Sequence, residues 1–283
     1  MRIRKAVITA AAPGQRDLPL QTLVDRDGVR KSILALQVAE MAAAGAEEVC
    51  IVIAPDAGDA YRTAAADFSV QVRFVTQPEP RGYGHALWCA REFVASEPFL
   101  HQVGDHIFIG PTGTPPAAAQ IAEAARENEC AISGVQPTRE NLLTSFGAIG
   151  GQRMRETGAR DVYAIERVAE KPTPTEAEQS LLIPGLRAGY YLCFMGAHVL
   201  TPVVMEALDA AVRDAVLTGT KVGLSPVLDG LAQREKYLAV AVTGRRYHLD
   251  ARYGLLQAQL ALALSGEDRD MVLTELVALL AKQ

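Results

Sequence analysis

The residues with the clearest chemical potential form a short loop near the start of the chain. Residues 11–19 are Ala-Ala-Pro-Gly-Gln-Arg-Asp-Leu-Pro, and they follow the apolar run Ala6–Ala10. Small residues in such a loop let a ligand approach the backbone, whose free N–H groups bind anionic oxygens. Arg16 adds a guanidinium that stays charged and can donate two hydrogen bonds to one phosphate. The loop therefore predicts a phosphate site, with Gly14 and Arg16 as candidate contacts.

Two aspartates are candidate metal ligands. Asp105 follows the apolar run Phe99–Gly104, and Asp250 ends the segment Tyr247–Asp250 far along the chain. A carboxylate at the end of a strand is a suitable ligand for Mg²⁺, which takes its other ligands from water and substrate phosphates. A lone Asp in this position is more often a turn or helix-capping residue. A shared metal site requires the fold to bring the two carboxylates together. The five histidines show no spacing typical of zinc ligands.

Two further segments carry groups suited to a base and a sugar. In the turn-rich stretch 77–86, the Gln77 amide can both donate to and accept from a base edge, and Gly82 leaves bare backbone for a flat ring. Glu170 and Lys171 stand just before a proline, where the carboxylate could accept from sugar hydroxyls and the ammonium could bind a phosphate. The alternative interpretations are a simple connecting loop for the first and a solvated turn for the second.

The elements that must position these groups alternate along the first half of the chain. Short apolar runs alternate with helical patterns as far as about residue 140, which predicts a mostly parallel sheet with helices on both faces. Beyond residue 140, strand-like segments bounded by Gly and Pro indicate an antiparallel extension. The sequence from 253 to 283 contains two amphipathic helical patterns broken at Ser265 and Gly266.

Composition narrows the function classes. The net charge of −5 and the calculated pI of about 5.6 argue against a coat for nucleic acid or an anionic membrane surface, because both need clustered basic residues. The apolar run after Arg2, Arg4 and Lys5 is stopped by Pro13, so it is too short for a signal peptide or a membrane span. We expect a cytoplasmic protein that binds neither nucleic acid nor membrane.

In their order, these segments resemble the bacterial UTP–glucose-1-phosphate uridylyltransferases and related sugar nucleotidyltransferases. The matching parts are the loop 5–19 and segments 24–28, 77–86, 104–106, 146–147, 170–172, 189 and 250–254. The resemblance implies a Rossmann-like α/β nucleotidyltransferase domain over residues 1–252, whose part at about 140–200 is a small antiparallel sugar-binding extension. Residues 253–283 would form C-terminal helices, packed on the domain or at a homodimer interface.

The resemblance also implies the reaction and its residues. UTP and glucose 1-phosphate would give UDP-glucose and pyrophosphate, with Mg²⁺ as cofactor. Arg16, Asp105, Lys171 and Asp250 would be catalytic, with Asp105 and Asp250 as the metal ligands. Nucleotide contacts would come from Ala11, Gly14, Arg16, Gln77 and Gly82. Sugar-phosphate contacts would come from Gly147, Glu170, Lys171 and Gly189.

The loop departs from the family pattern in ways that affect catalysis. Ala12 replaces a glycine, Pro13 removes one backbone donor, and the family's Pro-Lys element is missing after Pro19. Lys31 is the nearest candidate substitute for that lysine. The sequence therefore leaves two functions open, a working enzyme with a rearranged loop and a catalytically weak homologue that binds a nucleotide sugar or a protein partner as a sensor.

Overall fold

A computed structural model gives the structure of residues 1–14, 16–66, 68–154 and 160–281. The strands are β1 (Lys5–Ala10), β2 (Thr22–Val24), β3 (Arg30–Ser32), β4 (Glu48–Ile53), β5 (Gln71–Thr76), β6 (Phe99–Val103), β7 (His106–Ile109), β8 (Ala131–Arg139), β9 (Gly147–Arg153), β10 (Val162–Glu170), β11 (Tyr190–Leu200), β12 (Tyr237–Ala241) and β13 (Arg245–His248). The helices are α1 (Ile33–Ala43), α2 (Gly58–Ala64), α3 (Tyr83–Cys89), α4 (Arg91–Val94), α5 (Ala117–Asn128), α6 (Pro174–Ser180), α7 (Pro202–Thr218), α8 (Ser225–Ala232), α9 (Gly254–Leu264) and α10 (Arg269–Ala281).

One mixed sheet organises the described chain. Its strand order is β5-β4-β1-β6-β11-β8-β12-β10-β9. The first four strands run parallel, β12 runs parallel to β8, and β11 is antiparallel to both of its neighbours. At the far edge β10 and β9 are antiparallel, and β9 also pairs with β11. The predicted α/β class, with a Rossmann-like parallel part and an antiparallel extension, is confirmed.

The sheet is covered by helices on both faces. Val7 and Cys50 belong to one apolar cluster, whereas their chain neighbours Ile8 and Ile51 belong to another. Because successive side chains of a strand point to opposite faces, both faces of β1 and β4 are buried. This double burial explains the unbroken apolar runs that the sequence shows at these strands.

A two-stranded ribbon carries the two candidate metal ligands. In this ribbon β7 and β13 are antiparallel, with His106 opposite His248. Leu249 N–H donates to the Asp105 carbonyl oxygen at 2.9 Å. The backbone therefore places Asp105 and Asp250 at the same end of the ribbon.

The two C-terminal helices have different surroundings. In α9, Gly254, Ala258 and Leu262 are buried, and the last two belong to an apolar cluster that also contains Leu23. No residue of α10 is buried among the described positions 269–281, and its exposed apolar side chains include Leu280. Contact of this surface with a second copy of the chain stays a prediction. Residues 282 and 283 lie outside the described structure. Among the helices described here, none has the length and apolar character needed to cross a membrane.

Candidate active site

The candidate residues lie mainly at one edge of the sheet. Because β5, β4, β1 and β6 are parallel neighbours, the loops after them leave the sheet at the same carboxyl edge. These loops carry Gln77, Asp56, Arg16 and Asp105 respectively. Open α/β sheets bind their ligands at this edge.

In the loop after β1, the space beside Gly14 is open, whereas the Arg16 side chain is already held in an ion pair. Gly14 has a φ of +81°, and a Cβ built there would meet no atom within 4 Å. Arg16 Nη1 forms an ion pair with Asp56, 2.7 Å from Oδ1. Tyr61 Oη donates to the Arg16 carbonyl oxygen at 2.9 Å. The partner of Arg16 is thus an aspartate after β4, not the adjacent Asp17 that a local surface pair would use. Ala11, by contrast, is buried.

Gln77 and Gly82 lie together because they are hydrogen-bonded to each other. The Gln77 amide is 5% exposed, and its Nε2 donates to Gly82 O at 3.1 Å and lies 3.0 Å from His85 Nδ1. Gly82 has a φ of +108°, and a Cβ there would lie 2.5 Å from Val222 O. Only glycine fits this close backbone approach. The amide nitrogen therefore organises its own loop, which differs from the predicted task of donating to a base.

Asp105 is positioned beside the loop after β1 by a second close approach. Gly104 N–H donates to Thr9 O at 2.9 Å, and a Cβ at residue 104 would lie 2.9 Å from the same oxygen. The turn between β6 and β7 therefore packs directly against the end of β1. A larger residue at 104 would move the Asp105 turn away from the loop.

Two imidazoles flank the Asp105 carboxylate. His106 Nδ1 lies 2.6 Å from Oδ1, and His248 Nε2 lies 3.5 Å from Oδ2. The two rings stack with centroids 4.7 Å apart. Burial alone would raise the pKa of Asp105, but hydrogen bonds from His106 and His248 outweigh it and hold the pKa well below its usual value. Burial lowers the pKa of His106, so a neutral imidazole donates to an ionised carboxylate.

Asp250 lies next to this cluster rather than inside it. Asp250 is exposed, and Leu249 separates it from His248 in the sequence. The imidazole of His248, not the Asp250 carboxylate, occupies the position 3.5 Å from Asp105 Oδ2. Among the described residues no group of three or more His, Cys, Asp or Glu side chains has the geometry to hold a metal ion. The protein ligands in reach of one ion are therefore fewer than three.

A second part of the site forms where β9 meets β10. Gly147 pairs with Glu170 across the two strands, and Lys171 N–H donates to Phe146 O at 3.1 Å. A Cβ at Gly147 would lie 3.3 Å from Glu170 Oε2 and 3.1 Å from Ser225 Oγ. Ser225 donates to that same carboxylate oxygen. The structure thus brings together Gly147, Glu170 and Lys171, as the sequence predicts.

Gly189 does not belong to this group. In the pairing of β11 with β9, Cys193 lies opposite Ala148 and Leu192 lies opposite Ile149. Continued in the same antiparallel register, Gly147 lies opposite Phe194, five residues from Gly189. At about 3.3 Å per residue, the two glycines are roughly 16 Å apart along the strand. Gly147 and Gly189 are therefore not adjacent, and their common role in binding the sugar phosphate stays a prediction.

The candidate cations differ in whether they are already neutralised. Lys31 Nζ lies 2.5 Å from Asp25 Oδ2, so the proposed substitute for the missing lysine is held in the β2–β3 hairpin. Lys171 is exposed, has a φ of +48° and has no carboxylate partner within the described chain. Among the described residues, Lys171 is thus free of an ion pair, whereas an anion at Lys31 would have to compete with Asp25.

Comparison with known proteins settles the family. The sequence matches the nucleotidyl transferase family over residues 26–222, which is more than half of the chain. The chain belongs to this family. In this nucleotidyltransferase, the edge of the sheet carries the charged side chains of Arg16, Asp56 and Asp105.

Similar proteins cover nearly the whole nucleotidyltransferase. The UTP–glucose-1-phosphate uridylyltransferase of Bacillus subtilis (strain 168) is 25% identical, with 100% of this chain and 99% of the relative aligned. That of Streptococcus pneumoniae serotype 4 is 24% identical over 93% of this chain and 91% of the relative. The resemblance inferred from the motifs is confirmed.

Solved structures show the same fold. UTP-bound UGPase from Acinetobacter baumannii superposes with a TM-score of 0.76 at 20% identity, covering 98% of this chain and 99% of that one. A UDP-glucose pyrophosphorylase complexed with UDP-glucose gives a TM-score of 0.72 at 22% identity, covering 92% and 98%. The antiparallel extension and the C-terminal helices are thus within the aligned length.

Sequence reasoning missed the roles of four groups at this site, and only one of them had a local signal. His248 and Asp56 reach their partners only through the register of the ribbon and the order of the parallel strands. Ser225 reaches Glu170 from the start of α8. His106 had a local signal, because it directly follows Asp105 in the sequence and a neighbouring imidazole is a frequent partner of a buried carboxylate.

Proposed function

We propose that this nucleotidyltransferase transfers a uridylyl group from UTP to glucose 1-phosphate and releases pyrophosphate. The relatives that align with the whole chain are named for this reaction. The observation that carries the proposal is the placement of the Asp105 turn against the end of β1, where the phosphate loop begins. A carboxylate beside a phosphate loop suits metal-assisted phosphoryl chemistry. We also propose a cytoplasmic location, where both substrates are available.

The chemistry is a direct displacement at phosphorus. A phosphate oxygen of glucose 1-phosphate attacks the α-phosphorus of UTP, and the bond from that phosphorus to the oxygen bridging the β-phosphate breaks as pyrophosphate leaves. Alignment and charge neutralisation are sufficient for this step. We assign Gly14 and Arg16 to the triphosphate, and Gly147, Glu170 and Lys171 to the sugar phosphate. Ala11, Gln77 and Gly82 would line the uridine side.

Nucleotidyltransferases of this kind generally use a divalent metal ion, and we propose Mg²⁺ here. The residues fit this ion, because Mg²⁺ is usually bound by one or two carboxylates together with water and substrate phosphates. The Asp105 carboxylate is kept ionised by its two imidazole neighbours. Asp105 and Asp250 would hold the ion, which supplies charge neutralisation to the phosphates when bound.

A second candidate function is a sensor with little or no turnover. This function is favoured because both cationic side chains considered for the triphosphate already have a carboxylate partner. Arg16 is paired with Asp56, and Lys31 is paired with Asp25. A loop without a free cation binds the leaving pyrophosphate less well. Such a protein would still bind a nucleotide sugar through Glu170 and Lys171.

A pyrophosphate-release assay separates these two functions. With Mg²⁺, we expect release to require both UTP and glucose 1-phosphate, and other nucleoside triphosphates and sugar 1-phosphates to give lower rates. The thymidine nucleotide is the most demanding comparison, because it offers nearly the same base edge to an amide. Reactions that lack the sugar phosphate measure background hydrolysis. No release with any pair, together with tight binding of UDP-glucose in calorimetry, would establish the sensor instead.

Arg16 can still serve the nucleotide if the triphosphate displaces Asp56. We expect Arg16→Ala to weaken UTP binding about tenfold or more, because a hydrogen bond to a charged group contributes roughly 1.5–3 kcal/mol. Binding of glucose 1-phosphate should change little. The thermal midpoint should also change little, since an exposed ion pair contributes under about 1 kcal/mol. Isothermal titration with each substrate measures the effect.

Asp56→Asn is the matched control for this variant. It releases Arg16 from its partner without removing the guanidinium, so UTP should bind as tightly as before or more tightly. If Arg16→Ala keeps the wild-type affinity for UTP, the arginine serves only the pair with Asp56, and the loop has lost its expected task.

A further inference from the structure

Arg246 is a buried arginine next to Phe146, and it forms no ion pair with a carboxylate of the described residues. Arg246 lies on β13 and is 8% exposed. Its Nη1 donates to the Phe194 carbonyl oxygen. Its guanidinium carbon lies 3.3 Å from the centroid of the Phe146 ring. A carbonyl and an aromatic face stabilise a cation, but neither neutralises it.

Arg246 keeps its charge in this environment. Burial lowers the pKa of Arg246 to about 10, which still leaves the guanidinium protonated at neutral pH. Cys193 is the nearby group that would favour the charge as a thiolate, but burial raises the pKa of the Cys193 thiol. At neutral pH the thiol is therefore uncharged. A buried cation without a counter-ion is costly, which points to an anion that comes from outside the chain.

The guanidinium is not sealed in the core. The buried side-chain atoms that lack any hydrogen-bond partner, among the residues that the structure describes, are Gln37 Oε1 and Gln102 Oε1. The remaining N–H groups of Arg246 are absent from this set although they have no partner in the chain. They therefore reach solvent and can donate hydrogen bonds to a ligand oxygen.

Arg246 lies between the Asp105 carboxylate with its two imidazoles and the segment that carries Phe146 and Gly147. Arg246 and His248 are two residues apart on one strand, so their side chains lie on the same face. His248 contacts Asp105, whereas Arg246 stacks on Phe146, which directly precedes Gly147. The Phe146 ring centroid lies 6.3 Å from that of His248. An anion at the guanidinium would thus lie between the proposed metal ligand and the proposed sugar contacts.

We propose that Arg246 binds the phosphate group of the sugar 1-phosphate. This assignment rests on the proposed function and names a residue that none of the sequence motifs contained. The guanidinium supplies a fixed positive charge inside the site, where Lys31 and Arg16 are already paired. It supplies part of the positive charge that a lysine in the loop after β1 would supply. It also favours a phosphate monoester over a neutral sugar.

Calorimetry with glucose 1-phosphate and with glucose tests this assignment independently of turnover. We expect Arg246→Gln to weaken binding of glucose 1-phosphate about 10- to 100-fold, as expected for loss of a charge-assisted hydrogen bond. The weak binding of glucose should not change. Arg245→Gln is the matched control, because Arg245 is the exposed neighbour on the same strand, and it should leave both affinities at wild-type values.

Folding is checked by thermal unfolding with and without inorganic phosphate. Phosphate should raise the midpoint of the wild type and of Arg245→Gln, but not of Arg246→Gln. Should the glutamine variant not fold, Arg246→Lys provides the test, because lysine keeps the charge but cannot donate two parallel hydrogen bonds. An unchanged affinity for glucose 1-phosphate in either folded variant would overturn the assignment. Failure of the proposed function appears separately, as a wild type that binds glucose 1-phosphate but releases no pyrophosphate.

Discussion

Replacing Asp105 by asparagine should reduce metal-dependent turnover on the order of 10²-fold or more, because the variant removes an ionised metal ligand from the reacting phosphates. The fold should be retained. The stability cost should nevertheless be about 1–2 kcal/mol rather than negligible, since the Asp105 side chain is only 19% exposed and accepts from two imidazoles. Pyrophosphate release over a range of Mg²⁺ concentrations measures the first effect, and denaturant unfolding measures the second.

Asp270→Asn is a suitable control for this substitution. Asp270 lies on α10 with a side chain that is 91% exposed, so the same chemical change there should alter neither turnover nor stability. Asp105→Asn with turnover equal to that of Asp270→Asn would exclude a metal role for Asp105. It would also remove the main support for a displacement assisted by this carboxylate.

Strands β1 and β4 of the parallel part could be predicted because burial on both faces gives each a run of mostly apolar residues. The sequence also predicts a strand over Val70–Thr76, and the observed edge strand β5 begins one residue later, at Gln71. The antiparallel part was harder, because the sequence predicts a strand over Arg187–Phe194 whereas β11 runs from Tyr190 to Leu200. The reason is local, since β11 continues through an irregularity between Phe194 and His198 where Gly196 has a φ of +83°. A glycine after a strand-like run is typical of a strand end, whereas Gly196 marks a bulge.

The site residues could be predicted where a single strand end carries them. Asp105, Glu170 and Lys171 stand directly at strand ends, and the structure places them as expected. The distance of Gly189 from Gly147 and the pairing of Arg16 with Asp56 depend on register and strand order instead. Neither is encoded in a local pattern, because a shift of one or two residues in pairing moves every contact of a strand. The burial of Arg246 was equally invisible, since its neighbour Arg245 on the same strand is exposed.

Acid should destabilise this protein at pH values well above the pKa of its carboxylates, because two histidines are buried as neutral groups in the sheet. Burial lowers the pKa of His101 to about 4 and that of His198 to about 3. His101 contacts Tyr83 Oη at 2.5 Å, and His198 Nδ1 contacts Ser133 Oγ at 2.6 Å. In the unfolded chain both imidazoles take up a proton near pH 6.5. Stability is therefore lost as the pH falls from about 6.5 towards 4.

The expected loss is about 1.4 kcal/mol per pH unit for each histidine, or several kcal/mol in total. This is a large part of the 5–15 kcal/mol that is typical of a folded domain. His198→Phe removes one titrating group and keeps a ring beside Phe194. We expect this variant to reduce the slope of the free energy of unfolding against pH by about 1.4 kcal/mol per pH unit, which is the contribution of one histidine. Urea unfolding at intervals between pH 4.5 and 7.5 provides the measurement.

Tyr237→Phe separates this effect from the loss of a hydrogen bond. Tyr237 Oη bonds to Ser133 in the same network as His198, but the tyrosine does not titrate in this pH range because burial raises its pKa. The variant should be less stable at every pH and show the wild-type slope. A slope that His198→Phe leaves unchanged would mean that His198 is already protonated in the folded protein, and that the buried carboxylates, not the sheet histidines, set the acid limit.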